Sequence, residues 1–509
     1  MSSLRHFVFE HRIELALFLA ILLLASFVRL YHIREFVVFL GDEGRDALVV
    51  KRMIVDHDLT LLGPTASVGG FYLGPVYYYF MIPAMILSGL DPVGPAIMVA
   101  LMGIATVAIL YLVLRDWFGP FPATIASLLY ALSPGIVTFS RSSWNPNPMP
   151  LFSLLALVLL SYSIRQKKLL LTFASTLCFG IAIQLHYLGL LLAPVLAAIT
   201  LIQAPRKTWL KLIPVEIFGF LAGASMYLAF EIRHNFPNIR SVIEFINRAG
   251  ATTGPRTYNF LKLFYDLNRF NLESVLGKNL SLPTRALTTI LLLSAAIVLF
   301  YLFKTKVIKK IDSPIITIVI FWLVGTLGIG MYRGQLHYHY FEFLFPAPFL
   351  VLAVILSTLK HKYLRLALGV LSLAVSAFFI KTAPIWSGGS NLLNQTERVA
   401  DEIINLAEDE PFNFALITPG NSDHAYRFYL EINNRKPLPI EDEVASQLVI
   451  VCEQDIEFCN PLGHPLWEIA SFGKAQIQDQ VIIQPGLNIF KLVHDQNSLD
   501  RIGKPAPRG

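Results

Sequence analysis

Charge is scarce in this chain. Only 15% of its 509 residues are charged, against about a quarter in an average soluble protein. Hydrophobic residues make up 55%, and the mean hydropathy is +0.58. These values exclude an ordinary soluble domain and leave a polytopic membrane protein. The net charge of +6 is scattered over short loops, so there is no concentrated basic face, which excludes nucleic acid as a partner. Cysteine is scarcer still. Cys178 sits in an apolar run, and Cys452 and Cys459 lie near the C-terminus; no metal-type spacing exists. A small-residue cleavage site is also missing after the first apolar run. Arg29, Tyr31, His32 and Arg34 follow instead, so that run is expected to remain as a membrane helix.

Apolar segments of suitable length lie at about 13–32, 74–90, 93–114, 121–139, 149–164, 169–184, 187–203, 211–232, 285–303, 314–331, 341–358 and 364–381. Lys and Arg in short loops mark the cytoplasmic side. Four loops qualify: Arg165-Gln166-Lys167-Lys168; Arg206, Lys207 and Lys211; Lys304, Lys306, Lys309 and Lys310; and Lys360, Lys362 and Arg365. They fall on the same side as the N-terminal Arg5 and Arg12 only if 74–90 does not cross. That segment holds Tyr77-Tyr78-Tyr79, an interfacial signature, and Pro83, which would kink a helix. It reads as a membrane-surface or re-entrant helix. The expected architecture is an all-α membrane protein of about 11 transmembrane helices with juxtamembrane helices.

On this topology the polar signals gather outside: Asp42-Glu43, the stretch Arg141 to Pro148, the break Gln184 to Tyr187, the loop Arg233 to Pro283, and Arg333 to Tyr340. Composition turns polar towards the C-terminus, and three divisions are expected: a membrane module over 1–384, a small external α/β domain over 385–500, and a disordered tail over 501–509. Within the α/β domain, strands are read at Phe412–Thr418, Gln447–Cys452 and Asn488–His494, and helices at Glu397–Ala407 and Ala425–Leu430. Cys452 and Cys459 would both lie outside, where a disulfide is permitted if their α-carbons approach within about 7 Å.

The most informative feature is Gly41-Asp42-Glu43-Gly44-Arg45, directly after the first membrane helix. Carboxylates cost little at a membrane surface and several kcal/mol at its centre. With Gly74-Pro75-Val76-Tyr77-Tyr78-Tyr79 and Ser133-Pro134 before Ser140-Arg141, this layout resembles the C-type superfamily of integral-membrane glycosyltransferases. Its nearest branch looks like the protein O-mannosyltransferases and the lipid A aminoarabinose transferases. The resemblance implies sugar transfer from a polyprenyl-phosphate carrier to a lipid, glycan or protein acceptor on the outer face of the cell membrane, with inversion. Two departures stand out. The family's aromatic segment usually begins Lys-Pro-Pro, and Tyr72-Leu73-Gly74-Pro75 has no lysine. The Ser-Arg motif usually runs on to a carboxylate, and here Asn145 and Asn147 stand instead. Neutral amides are weak ligands beside carboxylates, so a divalent cation is not required by the sequence.

Such chemistry needs a base for the acceptor, and a carboxylate serves. Asp42 is the first choice and Glu43 the second. The leaving phosphate needs cations or donors, which Arg45, Arg141 and Arg333 would supply by their forks, with Asn145, Asn147, His186, Tyr187, His337 and His339 completing a substrate-binding set. Plainer readings stand beside these. Arg45 also fits a solvent-facing helix charge, Arg141 a snorkelling side chain, and Glu342 a structural partner for Arg333, while Glu231 suits a local pair with Arg233 or His234. The rival classes are a flippase or transporter for polyprenyl-linked glycans, and an O-antigen-type ligase or polymerase. A transporter would carry internal repeats or midplane ion pairs; a ligase would lean on a late Arg/His loop.

Overall fold

The computed structural model describes residues 12–66, 70–251, 259–277, 281–305, 314–332, 334–496 and 498–506. Helices dominate, and one four-stranded sheet lies near the C-terminus, as expected for a helical membrane protein with a small α/β domain. The chain divides into two compact units. The first comprises Met1–Ile33, Leu59–Ala84 and Pro95–Gly388, and the second Arg34–Asp58, Met85–Gly94 and Gly389–Gly509. Composition drew its line at 384/385 and gave no sign that two early segments would join the C-terminal one.

In the helical unit and its junctions, five helices among the described residues are long and apolar enough to cross a membrane: Arg12–Leu30, Val93–Phe118, Met149–Gln166, Pro283–Lys304 and Lys362–Trp386. Two bent pairs raise this to seven when each is one span: Tyr187–Gln203 with Arg206–Gly223, bent by 120°, and Tyr338–Leu344 with Ala347–Ser357, bent by 44°. Val76–Leu87, Pro120–Leu132, Leu169–Leu185 and Pro314–Gly330 are shorter apolar helices. Without a hydrophobic drive between helices in lipid, small residues let backbones approach. Helix Leu169–Leu185 meets Trp209–Gly223 in this way. A Cβ on Gly219 would lie 2.5 Å from the Phe173 carbonyl oxygen, and one on Gly223 would lie 2.3 Å from that of Leu177. Two buried arginines lie at the C-terminal end of the first helix. Arg29 donates to the Ala25 and Ala131 carbonyls (3.2 and 2.8 Å). Arg141 donates to those of Val28 and Tyr31, both at 2.6 Å.

In the second unit the sheet runs β1-β2-β4-β3, with β1 Asn413–Ile417, β2 Gln447–Cys452, β3 Ala475–Gln484 and β4 Leu487–His494. β1 and β2 pair in parallel, and the other pairs are antiparallel. The β1 and β2 strands are buried throughout, which explains their unbroken apolar runs. Edge strand β3 (Ala-Gln-Ile-Gln-Asp-Gln-Val-Ile-Ile-Gln) is mostly exposed and was not read as a strand, since its glutamines mask the pattern. The core packs Ile417, Leu448, Ile450, Phe472, Phe490 and Leu492 with Cys452 and Cys459. Those cysteines form a disulfide with α-carbons 6.2 Å apart.

The tail expectation needs correction over its described part. The Val444 N–H donates to the Lys504 carbonyl at 2.8 Å, the Gly503 N–H to that of Val444 at 3.0 Å and the Ala506 N–H to that of Ile440 at 3.0 Å, and Ala506 joins the core. Paired backbone and a buried side chain tie this segment down; residues 507–509 lie outside the described residues. In the same unit, Arg34 joins three stretches of chain by binding Asp91, Asn394 and Glu397.

Candidate active site

The acidic motif opens helix Gly41–Val55, which starts from extended Leu40. The free N–H groups of a first helical turn favour carboxylates there, and Asp42 and Glu43 occupy it. Glu43 Oε2 accepts the Leu40 N–H at 3.2 Å, the returning half of a capping box. The Gly41 N–H donates to Asn421 Oδ1 at 2.9 Å. The two carboxylates have different surroundings. The Asp42 side chain is 63% exposed and pairs with Arg45 at 2.9 Å. Glu43 is half-buried, and loss of hydration, helped by the neighbouring Asp46 and Asp42 charges, lifts its carboxyl to about 7 against the pull of the backbone N–H groups. Arg45 also holds the buried Asp46 at 2.8 Å.

This helix packs on helix His424–Ile432 of the same unit through its glycines. A Cβ on Gly41 would fall 2.0 Å from Ser422 Oγ, and one on Gly44 would fall 2.3 Å from the Ala425 nitrogen. Lys51 pairs with Glu431 at 3.2 Å. Ser422 Oγ and His424 Nδ1 share a hydrogen bond of 2.7 Å, and burial lowers the His424 ionisation.

In the helical unit the sequence-selected residues from four regions come together. Gly74 fits against Gln184, where a Cβ would lie 2.3 Å from its side chain. Gln184 Nε2 donates to the Gly223 carbonyl at 2.7 Å, and the Tyr77 hydroxyl and Ser143 Oγ are 2.7 Å apart. Asn145 Nδ2 donates to the Leu185 carbonyl at 2.5 Å, and Asn147 Nδ2 to that of Ser142 at 2.8 Å; both residues are buried. His186 breaks the helix. Its Nδ1 accepts the Leu188 N–H at 3.2 Å, and its ring stacks on Tyr187 with centroids 4.4 Å apart. His339 lies 5.6 Å from His186, 5.7 Å from His337 and 4.6 Å from both Trp144 and Tyr340. His337 and His339 alternate in sequence, so an extended backbone would point both the same way. The structure stacks them at the entry to the 3₁₀ turn Tyr338–Leu344. Tyr340, buried among these rings, was not singled out, although it belongs to the same polar-aromatic run.

Other readings change. Arg141 does not present a free fork: it is 2% exposed, and its terminal nitrogens serve the carbonyls of Val28 in the first helix and of Tyr31 just past its end. That is the stronger demand where water is absent. Glu231 does not pair with Arg233; it accepts the N–H groups of Asn238 and Ile239 and the Asn238 amide, at 2.8–3.3 Å. Arg333 lies outside the described residues. Both oxygens of the buried Glu342 lack a hydrogen-bond partner among the described residues, which also hold no group of three or more His, Cys, Asp or Glu suited to a metal ion. The residues around the acidic motif fit a divalent cation poorly, because the Arg45 fork already occupies Asp42 and Asp46.

Residues 73–229 match the family model of dolichyl-phosphate-mannose-protein mannosyltransferases. The fold is similar to that of ArnT from Cupriavidus metallidurans bound to undecaprenyl phosphate, with a TM-score of 0.59 at 15% identity, over 94% of this chain and 97% of that one. It is also similar to the Archaeoglobus fulgidus oligosaccharyltransferase in complex with zinc and sulfate (TM-score 0.55, 14% identity, 85% and 67% of the chains). The archaeal AglB with an inhibitory peptide and a dolichol-phosphate scores 0.51 at 13% identity, over 87% and 70%. A search of curated proteins finds no match. The family match over residues 73–229 and the ArnT-like fold agree with the resemblance to C-type membrane glycosyltransferases of the mannosyltransferase and ArnT branch.

Proposed function

We propose that the enzyme transfers a sugar from a polyprenyl-phosphate carrier to an acceptor on the outer side of the cell membrane, with inversion. The observation that carries this reading is the carboxylate pair at the start of helix Gly41–Val55: Asp42 open to solvent and Glu43 held near neutrality. The solved relatives bound to undecaprenyl phosphate and dolichol-phosphate support the choice of carrier. The outward orientation rests on the basic loops and the polar faces they imply.

In the proposed reaction the acceptor heteroatom forms a bond to the anomeric carbon as the bond from that carbon to the phosphate oxygen breaks. The acceptor proton goes to Asp42, with Glu43 as the second choice. The phosphate leaves as an anion and needs no strong acid, only donors that take up its growing charge. His337, His339, His186 and Tyr187 provide donors and flat faces for the donor substrate; Asn145 and Asn147 support that cluster from within. Arg141 is reassigned from phosphate binding to holding the first helix. Arg333 is kept as a proposed phosphate contact from its place in the sequence.

The test uses the purified full-length enzyme with undecaprenyl-phosphate mannose, glucose and aminoarabinose, each followed for loss of donor. Asp42→Asn keeps the shape and removes the proton acceptor, so turnover should fall by about 10²–10⁴ while the protein stays folded. Wild-type turnover in that variant would remove the mechanism. Donor left intact by the wild-type enzyme across the whole panel, with cell-envelope acceptors supplied, would remove the substrate class.

A further inference from the structure

We propose that Asn421 and Glu453 of the C-terminal α/β segment are positioning residues for the acidic motif. Both act through the backbone of Gly41. The proposal rests on the assignment of Asp42 and Glu43 to the reaction.

The Asn421 amide is locked in one orientation. Its Oδ1 accepts the N–H groups of Gly41 and Ser422, at 2.9 and 2.8 Å. Its Nδ2 donates to Glu453 Oε1 at 2.9 Å. An amide has distinct donor and acceptor ends, so a carboxylate on one side fixes which end faces Gly41. Glu453 is held in turn. Tyr426 donates to Oε1 at 2.8 Å and Thr418 to Oε2 at 2.7 Å. The Glu453 N–H donates to the Ile417 carbonyl at 2.9 Å, and the residue directly follows Cys452 of the disulfide. A rigid strand end therefore orients a carboxylate, the carboxylate orients an amide, and the amide takes the N–H of the residue before Asp42.

Ordinary capping does not require this arrangement. The usual cap comes from the residue just before the helix, whereas here Leu40 has no such side chain. The oxygen arrives instead from a position 380 residues away. Gly41 and Gly44 allow the approach, since a Cβ at either would strike Ser422 or Ala425. The first turn is thereby held at the level of its backbone, and the two carboxylates remain free of the anchor.

The test compares turnover of undecaprenyl-phosphate mannose, or whichever donor of the panel is consumed, with hydrogen exchange at the Gly41 and Glu43 amides, which reads the contact without needing the reaction. Displacing a reacting group by about 1 Å costs on the order of 10²-fold in rate. Asn421→Ala should therefore lower kcat by roughly 10–100-fold with the donor KM within about twofold, and speed exchange at Gly41. Asn421→Asp keeps the acceptor but sets two carboxylates against each other, so it should be equally impaired. Adding Glu453→Gln restores a donor between the two side chains and should return kcat to within about threefold of wild type. In the Asp42→Asn background, Asn421→Ala should add no further loss.

Unchanged exchange in Asn421→Ala overturns the positioning contact. So does wild-type turnover in Asn421→Ala where Asp42→Asn is inactive, a failed rescue by the double variant, or a full additive loss on top of Asp42→Asn. Wild-type turnover in Asp42→Asn alone would instead remove the assignment of the motif on which the proposal rests.

Discussion

Asp42 and Glu43 are neighbours in sequence with unlike surroundings, and this allows their roles to be separated by pH. The Glu43 carboxyl is raised to about 7, chiefly by loss of hydration. If Glu43 is the base, turnover should fall about tenfold per pH unit below that value, and Glu43→Gln should abolish both rate and limb. If Asp42 is the base, Glu43→Gln should leave most of the rate. A pH–rate profile of the wild type and of Glu43→Gln decides between them. Stability carries the same signature with a definite sign. An acid raised on folding binds its proton more tightly in the folded state, so stability is lost as pH rises from the unfolded value towards 7. Glu43→Gln should therefore gain thermal stability over the wild type at pH 8, and not at pH 5. The motif was legible because a carboxylate pair just past a membrane helix is conspicuous. The role of Arg141 was not, because nothing in Ser140-Arg141 reveals that the carbonyls of Val28 and Tyr31 await a donor.

Among the elements, glycine contacts make the sharpest prediction. A Cβ on Gly44 would enter the backbone of Ala425, at 2.3 Å from its nitrogen and 2.4 Å from its α-carbon, whereas one on Gly420 would meet nothing within 4 Å. Gly44→Ala should destabilise the protein by about 1–3 kcal/mol, the usual range for overpacking, and Gly420→Ala should be close to neutral. Denaturant midpoints of the two variants provide the comparison. Element types were readable where burial is uniform: β2 falls at Gln447–Cys452 as expected, and the helix before β1 starts at Leu392, five residues before the expected Glu397. They were lost where exposure hides the pattern, as in β3, or where a turn decides the path. The 120° bend between Tyr187–Gln203 and Arg206–Gly223 follows Ala204-Pro205, which reads in sequence only as a loop.

For the whole molecule, the membrane class follows from composition, and the fold agrees with it. The division into units does not follow, because residues 34–58 and 85–94 join the C-terminal segment through contacts such as Arg34 with Glu397, which leave no mark in local composition. The proposed outward placement of the C-terminal segment has a direct check. A reporter active only in the cytoplasm, fused after residue 509, should give no signal, while the same reporter after Lys167 should be active; activity at the C-terminal fusion would reverse the topology.

The bond from Gly41 to Asn421 also sets a timetable for synthesis. The two residues are 380 positions apart, and chains grow at about 5–20 residues per second. The acidic helix therefore leaves the ribosome roughly 20–80 seconds before its partner is made. Through that interval Gly41 and Gly44 face no neighbour from residues 421–425, and the first turn has no outside acceptor for its N–H. The nascent chain therefore lacks the anchor of its acidic helix, and it gains one only when residues 421–425 have been translated and folded back onto that helix. A stalled or shortened chain would be a membrane protein with an unanchored acidic helix, and limited proteolysis at that helix should be faster than in the full-length chain.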